Sequence, residues 1–163
     1  MLYYPLIDTV RDKGLLLQQS LQSPELADLL TSDIQKADAL LVGGGDGFML
    51  ETIKKYRTHE KPFFGVNCGT LGFLLNNLPH PHLLPKTLEE MQIITPHLFK
   101  VQITQKDDTP HTKYALNDVV LGGNILDYFK FHLETQTDSL TVQGSGLIVT
   151  TPLGSSAYRL SNG

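Results

Sequence analysis

Asp38-Ala39-Leu40-Leu41-Val42-Gly43-Gly44-Gly45-Asp46-Gly47-Phe48 is the stretch on which the fold of this chain turns. Its apolar part, Asp38 to Val42, reads as a short strand with both faces buried. The three glycines that follow let the backbone turn without a Cβ in the way, and a helix is predicted from Phe48 to about Arg57. Glycines at such a turn let backbone N–H groups approach a ligand closely. A helix N-terminus and a nest of N–H groups favour negative charge, so phosphate is the natural guest. An acid among phosphate-binding donors is not there to bind phosphate. Asp46 is better suited to receive a proton or to organise a metal ion. A plainer reading stands beside this one, with Asp46 as a helix N-cap and nothing more.

Outward from this stretch the first half alternates strand and helix. Ser23-Pro24 followed by Glu25 to Leu30 reads as an N-cap, a proline at the first helical position and a short apolar face. Met49, Ile53 and Tyr56 give the next helix its inner face, and Pro62 to Asn67 is a second buried strand. Strand, helix, strand argues for a parallel sheet with crossovers, whose ligands gather at the carboxyl ends of the strands. Asp46 and Asn67 both fall there. Pro79, Pro81 and Pro85 then punctuate a turn-rich stretch, and Leu83 to Ile93 is predicted helical.

From Leu98 the pattern is short strands: Phe99–Thr104, Tyr114–Leu121, Tyr128–Thr135, Leu140–Val142 and Leu147–Thr150. Phe129, Phe131 and Leu133 alternate with Lys130, His132 and Glu134, as in a half-exposed strand, and Thr137-Asp138-Ser139 is a turn. The expected organisation is an α/β parallel-sheet, Rossmann-like domain over residues 1–95 and part of an all-β sandwich over 96–163. Asn117-Asp118 interrupts an apolar run, and a buried strand takes such a pair only if something satisfies it. Vicinal ribose hydroxyls would do so; a β-bulge or an internal hydrogen-bond network would too. The stretch Thr150 to Gly163 packs small hydroxyl residues around Tyr158, on which a flat ring can stack while hydroxyls read its edge. By itself it could equally be a serine-capped helix start.

Composition narrows the classes. The chain has 163 residues, 40% of them hydrophobic, which suits a globular protein of one ordinary or two small domains. A net charge of −4 gives no bulk signal for nucleic acid or an anionic membrane. No apolar run approaches the length of a membrane span, and Met1-Leu2-Tyr3-Tyr4-Pro5 lacks the features of a signal peptide. The single cysteine, Cys68, excludes an internal disulfide and fits a reducing cytoplasm, the compartment expected here. His80 and His82 flank Pro81 with no cysteine or acid at ligand spacing, so no metal cage is expected and the six histidines read as solvated or structural.

Four blocks in order resemble the NAD kinase family. Its Gly-Gly-Asp-Gly turn, shared with diacylglycerol kinases and phosphofructokinases, stands here as Gly44-Gly45-Asp46-Gly47. Its second block stands as Asn67-Cys68-Gly69-Thr70-Leu71-Gly72-Phe73-Leu74, its Asn-acid pair as Asn117-Asp118, and its last block as Gly146 through Ser161. The likeness covers roughly residues 35 to 163. It implies transfer of the terminal phosphoryl group of ATP, or of polyphosphate, to the 2′-hydroxyl of the adenosine ribose of NAD, usually with Mg²⁺. Asp46 then matches the proton acceptor and Gly44, Gly45 and Gly47 the part that holds the phosphates. Phe73 matches an aromatic against the adenine, and Asn117 and Asp118 the pair that holds ribose and adenine. Ser156, Ala157, Tyr158, Arg159, Leu160 and Ser161 match the segment lining the dinucleotide pocket. Family members are usually homotetramers or dimers. Phosphoryl transfer through a loose transition state asks little of a base, so positioning and charge neutralisation are expected to dominate.

The chain departs from that pattern at named positions. Phe48 stands where the family usually has Thr or Asn, and Asp118 where it has Glu. Ser145 replaces an Asp and Gln143 a basic residue, at positions that in the family contact NAD across the subunit interface. A first strand and helix are not evident ahead of the matched region, and the chain stops inside the last block, so it reads as truncated at both ends. A half-built sandwich leaves open edges, so the isolated chain is expected to be marginally stable or to rely on a partner. Two other readings remain: a dinucleotide-binding or oligomer-building family member without transfer, and a lipid or sugar kinase of the same superfamily, against which the last block argues.

Overall fold

A computed structural model describes residues 1–104, 109–124 and 127–154. They form two compact units, one from Met1 to Ile93 and one from Ile94 onward. The first is built on a three-stranded parallel sheet, β1 (Tyr3–Ile7), β2 (Ala39–Gly44) and β3 (Phe63–Asn67), with β2 in the middle. Four short helices complete it: α1 (Asp12–Ser20), α2 (Pro24–Ala27), α3 (Asp46–Tyr56) and α4 (Leu84–Glu89).

The period-two geometry of a strand sorts the core onto two faces. Ala39 and Leu41 of β2 join Tyr3, Phe64, Val66 and Cys68 against Leu17, Leu21, Leu26, Leu84 and Leu88 of the other elements. Val42 points the other way, into a smaller cluster with Met49 of α3 and Leu75. Leu40, Leu41 and Val42 are fully buried, as the uninterrupted apolar run requires for a central parallel strand. Thr52 is buried on the inner face of α3 beside Met49, while Ile53 is only half covered.

Several expectations are corrected. The strand does not end at Val42 but runs through Gly44, and α3 begins at Asp46 rather than Phe48. No glycine among the described residues has a positive φ. What the turn demands is space. A Cβ on Gly43 would come within 2.6 Å of Leu17 Cδ2, and one on Gly44 within 2.6 Å of the Phe48 ring. A first strand and helix do exist, as β1 and α1. The helix expected from Leu83 to Ile93 is shorter, because a 3₁₀ turn (Pro81–Leu83) leads into α4, which ends at Glu89.

The second unit consists of antiparallel pairs consistent with part of a β-sandwich. β4 (Phe99–Thr104) pairs with β5 (Pro110–Ala115), β6 (Asp118–Gly122) with β9 (Gly146–Thr150), and β7 (Phe129–Glu134) with β8 (Ser139–Gly144). The expected single strand Tyr114–Leu121 is two strands, broken at Leu116-Asn117. Among the described residues of this unit only Thr151 and Gly154 are buried. Val120 and Tyr128 are 63% and 74% exposed. Two-stranded ladders do not enclose a core of their own.

Candidate functional site

The glycine turn gathers its neighbours at the carboxyl ends of all three strands. The Asp8 N–H, just past β1, donates to Gly43 O (2.8 Å), and the Cys68 N–H, just past β3, donates to Gly44 O (2.7 Å). The chain beyond β3 then forms a loop closed at its base: the Asn67 N–H donates to Asn76 O and the Asn76 N–H to Gly65 O, both at 2.9 Å. The Asn67 side chain holds the loop from inside. Its Oδ1 accepts from the Gly69 N–H (2.9 Å), its Nδ2 donates to Asn77 Oδ1 (2.9 Å), and Gly72 lies so close over it that a Cβ there would meet Cγ at 2.9 Å.

Asp46 meets this loop. The Phe73 N–H donates to both carboxylate oxygens (3.0 and 2.9 Å), and the Leu74 N–H donates to Oδ1 (2.9 Å). The N-cap of α3 is Gly45, with no side-chain capping bond, so the carboxylate serves the loop and not its own helix. Charge-assisted bonds of this kind are about twice as strong as neutral ones. A carboxylate has about four lone-pair sites, and these bonds leave Oδ2 one for a further donor. The structure therefore brings Gly44, Gly45, Asp46, Gly47 and Phe73 together. Gly47 is exposed with open space where a Cβ would stand, and Phe73 is 56% exposed. Phe48 does not point into that space: it packs with Ile53 and Leu74 against Val42, Met49 and Leu75.

Sequence reasoning missed three charged residues beside the turn. Arg11 Nε pairs with Asp8 Oδ2 at 3.2 Å, and Lys13 Nζ donates to Gly69 O at 3.3 Å. Arg11 also lies over Gly45 and Gly69, its guanidinium nitrogens 3.8 and 3.7 Å from where their Cβ atoms would be. Charge clustering in the sequence carries no signal for this, since Gly69 lies 56 residues beyond Lys13. Burial pushes the Cys68 thiol up from its ordinary value; Asp8 adds to the shift, and Lys13 and Arg11 oppose it.

In the second unit, Asn117 and Asp118 sit where the chain enters β6. The backbone around them is satisfied: the Thr151 N–H donates to Asn117 O (2.8 Å), and buried Thr151 Oγ1 donates to Leu116 O (2.7 Å) while accepting from the Gly154 N–H (3.1 Å). Their side chains are not. Asn117 Oδ1 and Asp118 Oδ1 are buried and have no hydrogen-bond partner among the described residues. A buried acceptor left unmade costs about 1–3 kcal/mol, so the pair is open to donors that the described residues do not supply. Ser145 lies at the opposite end of the β6–β9 ladder, where Gly122 faces Gly146, so the unit does not bring it to Asn117 and Asp118. Gln143 is exposed on β8 opposite Lys130. Ser156, Ala157, Tyr158, Arg159, Leu160 and Ser161 lie outside the described residues.

Among the described residues no group of three His, Cys, Asp or Glu is placed to hold a metal ion, and no helix is long and apolar enough to cross a membrane.

Comparison with known proteins places these features in a family. Residues 8–93, more than half of the chain, match the model of the ATP-NAD kinase N-terminal domain. A NAD kinase of Rickettsia bellii is 35% identical over 133 residues, covering 80% of this chain and 52% of that protein. One from Hyphomonas neptunium is 33% identical over 129 residues (78% and 50%), and one from Rickettsia africae 37% over 131 (78% and 51%). The chain spans about half the length of the curated relatives it matches. On the matched domain, and on the parallel sheet and glycine turn it contains, this chain belongs to the NAD kinase family.

Proposed function

We propose that the chain serves the phosphorylation of NAD to NADP, with ATP or inorganic polyphosphate as donor. The ribose 2′-oxygen forms a bond to the donor's terminal phosphorus, the bond from that phosphorus to its bridging oxygen breaks, and ADP or a shortened polyphosphate leaves. The 2′-hydroxyl proton goes to Asp46. The observation that carries this reading is the Asp46 carboxylate itself, fixed by two backbone N–H groups at the head of the glycine turn and keeping a lone pair on Oδ2. A carboxylate so held is positioned before the substrate arrives, which suits a reaction whose acceleration comes mostly from alignment and charge neutralisation.

The other roles follow from chemistry. Asn117 and Asp118 present buried acceptors that ribose hydroxyls and the adenine amino group would satisfy. Phe73 offers an exposed ring whose own N–H is tied to Asp46, so a base stacked on it would be referenced to the proton acceptor. With Phe48 turned to the apolar cluster, the Gly45–Gly47 backbone stays open to phosphate. Mg²⁺ fits as an ion carried by the donor, since a magnesium–phosphate unit needs only one or two protein carboxylates. Asp8, whose oxygens keep lone pairs beyond their bonds to Arg11 and Val10, would provide one, and the ion would neutralise phosphate charge. A homo-oligomer belongs to the same reading, through the exposed apolar residues of the second unit.

The test is NADP formation from NAD with Mg-ATP or polyphosphate, read by an NADP-specific dehydrogenase. NADP production supports the reading. A folded chain that binds NAD and yields no NADP with either donor is instead a dinucleotide-binding member of the family without transfer.

A further inference from the structure

The strands of the first unit lie side by side in the order β1-β2-β3. From β1 the chain passes through α1 and α2 to the outer side of β1, where Leu30 makes a parallel bridge to Tyr3, and then returns to form β2 on the other side. The space beyond the carboxyl ends of β1 and β2 is on the side of the sheet where open α/β sheets take their ligands. Arg11 and Lys13 converge on it. Arg11 is held at Nε by Asp8, which leaves the Nη edge of its fork over Gly45 and Gly69. Lys13 reaches the carbonyl of Gly69 from the same side. A side chain on Gly45 or Gly69 would stand in front of the guanidinium. A planar fork of donors, an ammonium point charge and bare backbone facing one space is the chemistry that holds a chain of phosphates.

We propose that Arg11 and Lys13 seat the phosphate chain of the phosphoryl donor against the Gly45 turn and the Gly69 loop. The assignment rests on the proposed kinase reading for its donor, but the seat itself reads phosphates and needs no nucleoside. Two sources could bring phosphates there, the donor's polyphosphate chain or the pyrophosphate of NAD. The donor is favoured because its terminal phosphorus must lie beside Asp46 for the transfer, next to the Gly45 over which the Arg11 guanidinium lies, whereas the pyrophosphate of NAD hangs from the 5′ side of the ribose.

The experiment is calorimetric titration of the 163-residue chain with inorganic tripolyphosphate at low salt, and separately with NAD. Arg11→Gln and Lys13→Gln are each expected to weaken tripolyphosphate binding about tenfold, as loss of a hydrogen bond to a charged group does. Arg11→Lys, which keeps charge but loses the fork, falls between. Lys86→Gln, at an exposed lysine in α4, leaves binding unchanged. NAD affinity is expected to stay the same in all of them. Circular dichroism establishes that each variant is folded; if Arg11→Gln is not, Lys13→Gln and Arg11→Lys decide. No tripolyphosphate binding by the wild type, or equal binding by the wild type and both glutamine variants, overturns the seat. A fall in NAD affinity in step with tripolyphosphate overturns its assignment to the donor. Tripolyphosphate binding lost with Arg11, in a chain that makes no NADP, leaves the seat standing and removes the kinase reading.

Discussion

Gly44 and Phe48 are expected to be energetically coupled. A Cβ added to Gly44 would lie 2.6 Å from Phe48 Cδ1 and 2.9 Å from both Cγ and Cβ. Ordinary carbon contacts are about 3.5–4.0 Å, so Gly44→Ala forces the ring, and part of the helix start behind it, to move. Overpacking of this kind costs about 1–3 kcal/mol. Two of the three close approaches are to the ring and one is to Cβ, which alanine retains. Phe48→Ala alone removes a half-buried ring from the Val42–Met49–Leu75 cluster, at about 1–3 kcal/mol. In the Phe48→Ala background Gly44→Ala should then cost about 1 kcal/mol less than in the wild type. Urea unfolding of the wild type, the two single variants and the double variant measures the coupling directly. Strict additivity would refute the claim that Phe48 fills the space over Gly44, and with it the inference that the ring points away from the open side of the turn.

Other perturbations follow from the same geometry. Asn117→Leu, close in shape, removes one orphaned buried acceptor; it should leave stability unchanged or raise it by up to about 1–3 kcal/mol while weakening NAD binding, read by thermal melts and titration. Alkaline pH should destabilise the chain. Burial raises the Cys68 thiol, and burial followed by Asp38 raises the Tyr3 hydroxyl, so the folded state keeps protons that the unfolded chain releases. Their contribution is whole below the ordinary values and fades as pH rises through the folded ones. Urea midpoints should therefore fall between about pH 8 and about pH 10.5, less steeply in Cys68→Ala and Tyr3→Phe.

The sequence was legible where one local pattern decided the outcome. Ala39 to Val42 could only be a doubly buried strand, and the period-two run from Phe129 could only be a half-exposed one. It was illegible where local signals conflicted with context. Pro5 inside β1 and Gly14 inside α1 argue against the elements they occupy. Both survive because β1 has a full partner strand on one side only, and because Gly14 packs where a Cβ would collide with the Asp8 backbone. The strand expected from Tyr114 to Leu121 breaks at Asn117, whose carbonyl turns to the Thr151 N–H instead of continuing a ladder. Within the site, residue types near the turn were readable, and the partners were not. The Asp46 carboxylate is held from 27 and 28 residues away, and no spacing rule reaches that far. That bond also replaces the N-cap reading with a tie between the first two sequence blocks.

The most direct test of the account is the turnover of Asp46→Asn relative to wild type, measured as NADP formed from NAD and Mg-ATP, with the melting curve of each protein alongside. An asparagine oxygen can still accept from Phe73 and Leu74, so the loop and the fold should survive at a cost of about 1–2 kcal/mol. The amide can neither take the hydroxyl proton nor align the hydroxyl through a charge-assisted bond, so turnover should fall by about 10²–10⁴-fold. Turnover of Asp46→Asn within a few-fold of wild type, in a folded protein, would contradict the assignment of Asp46 as proton acceptor and leave it only the task of holding the loop.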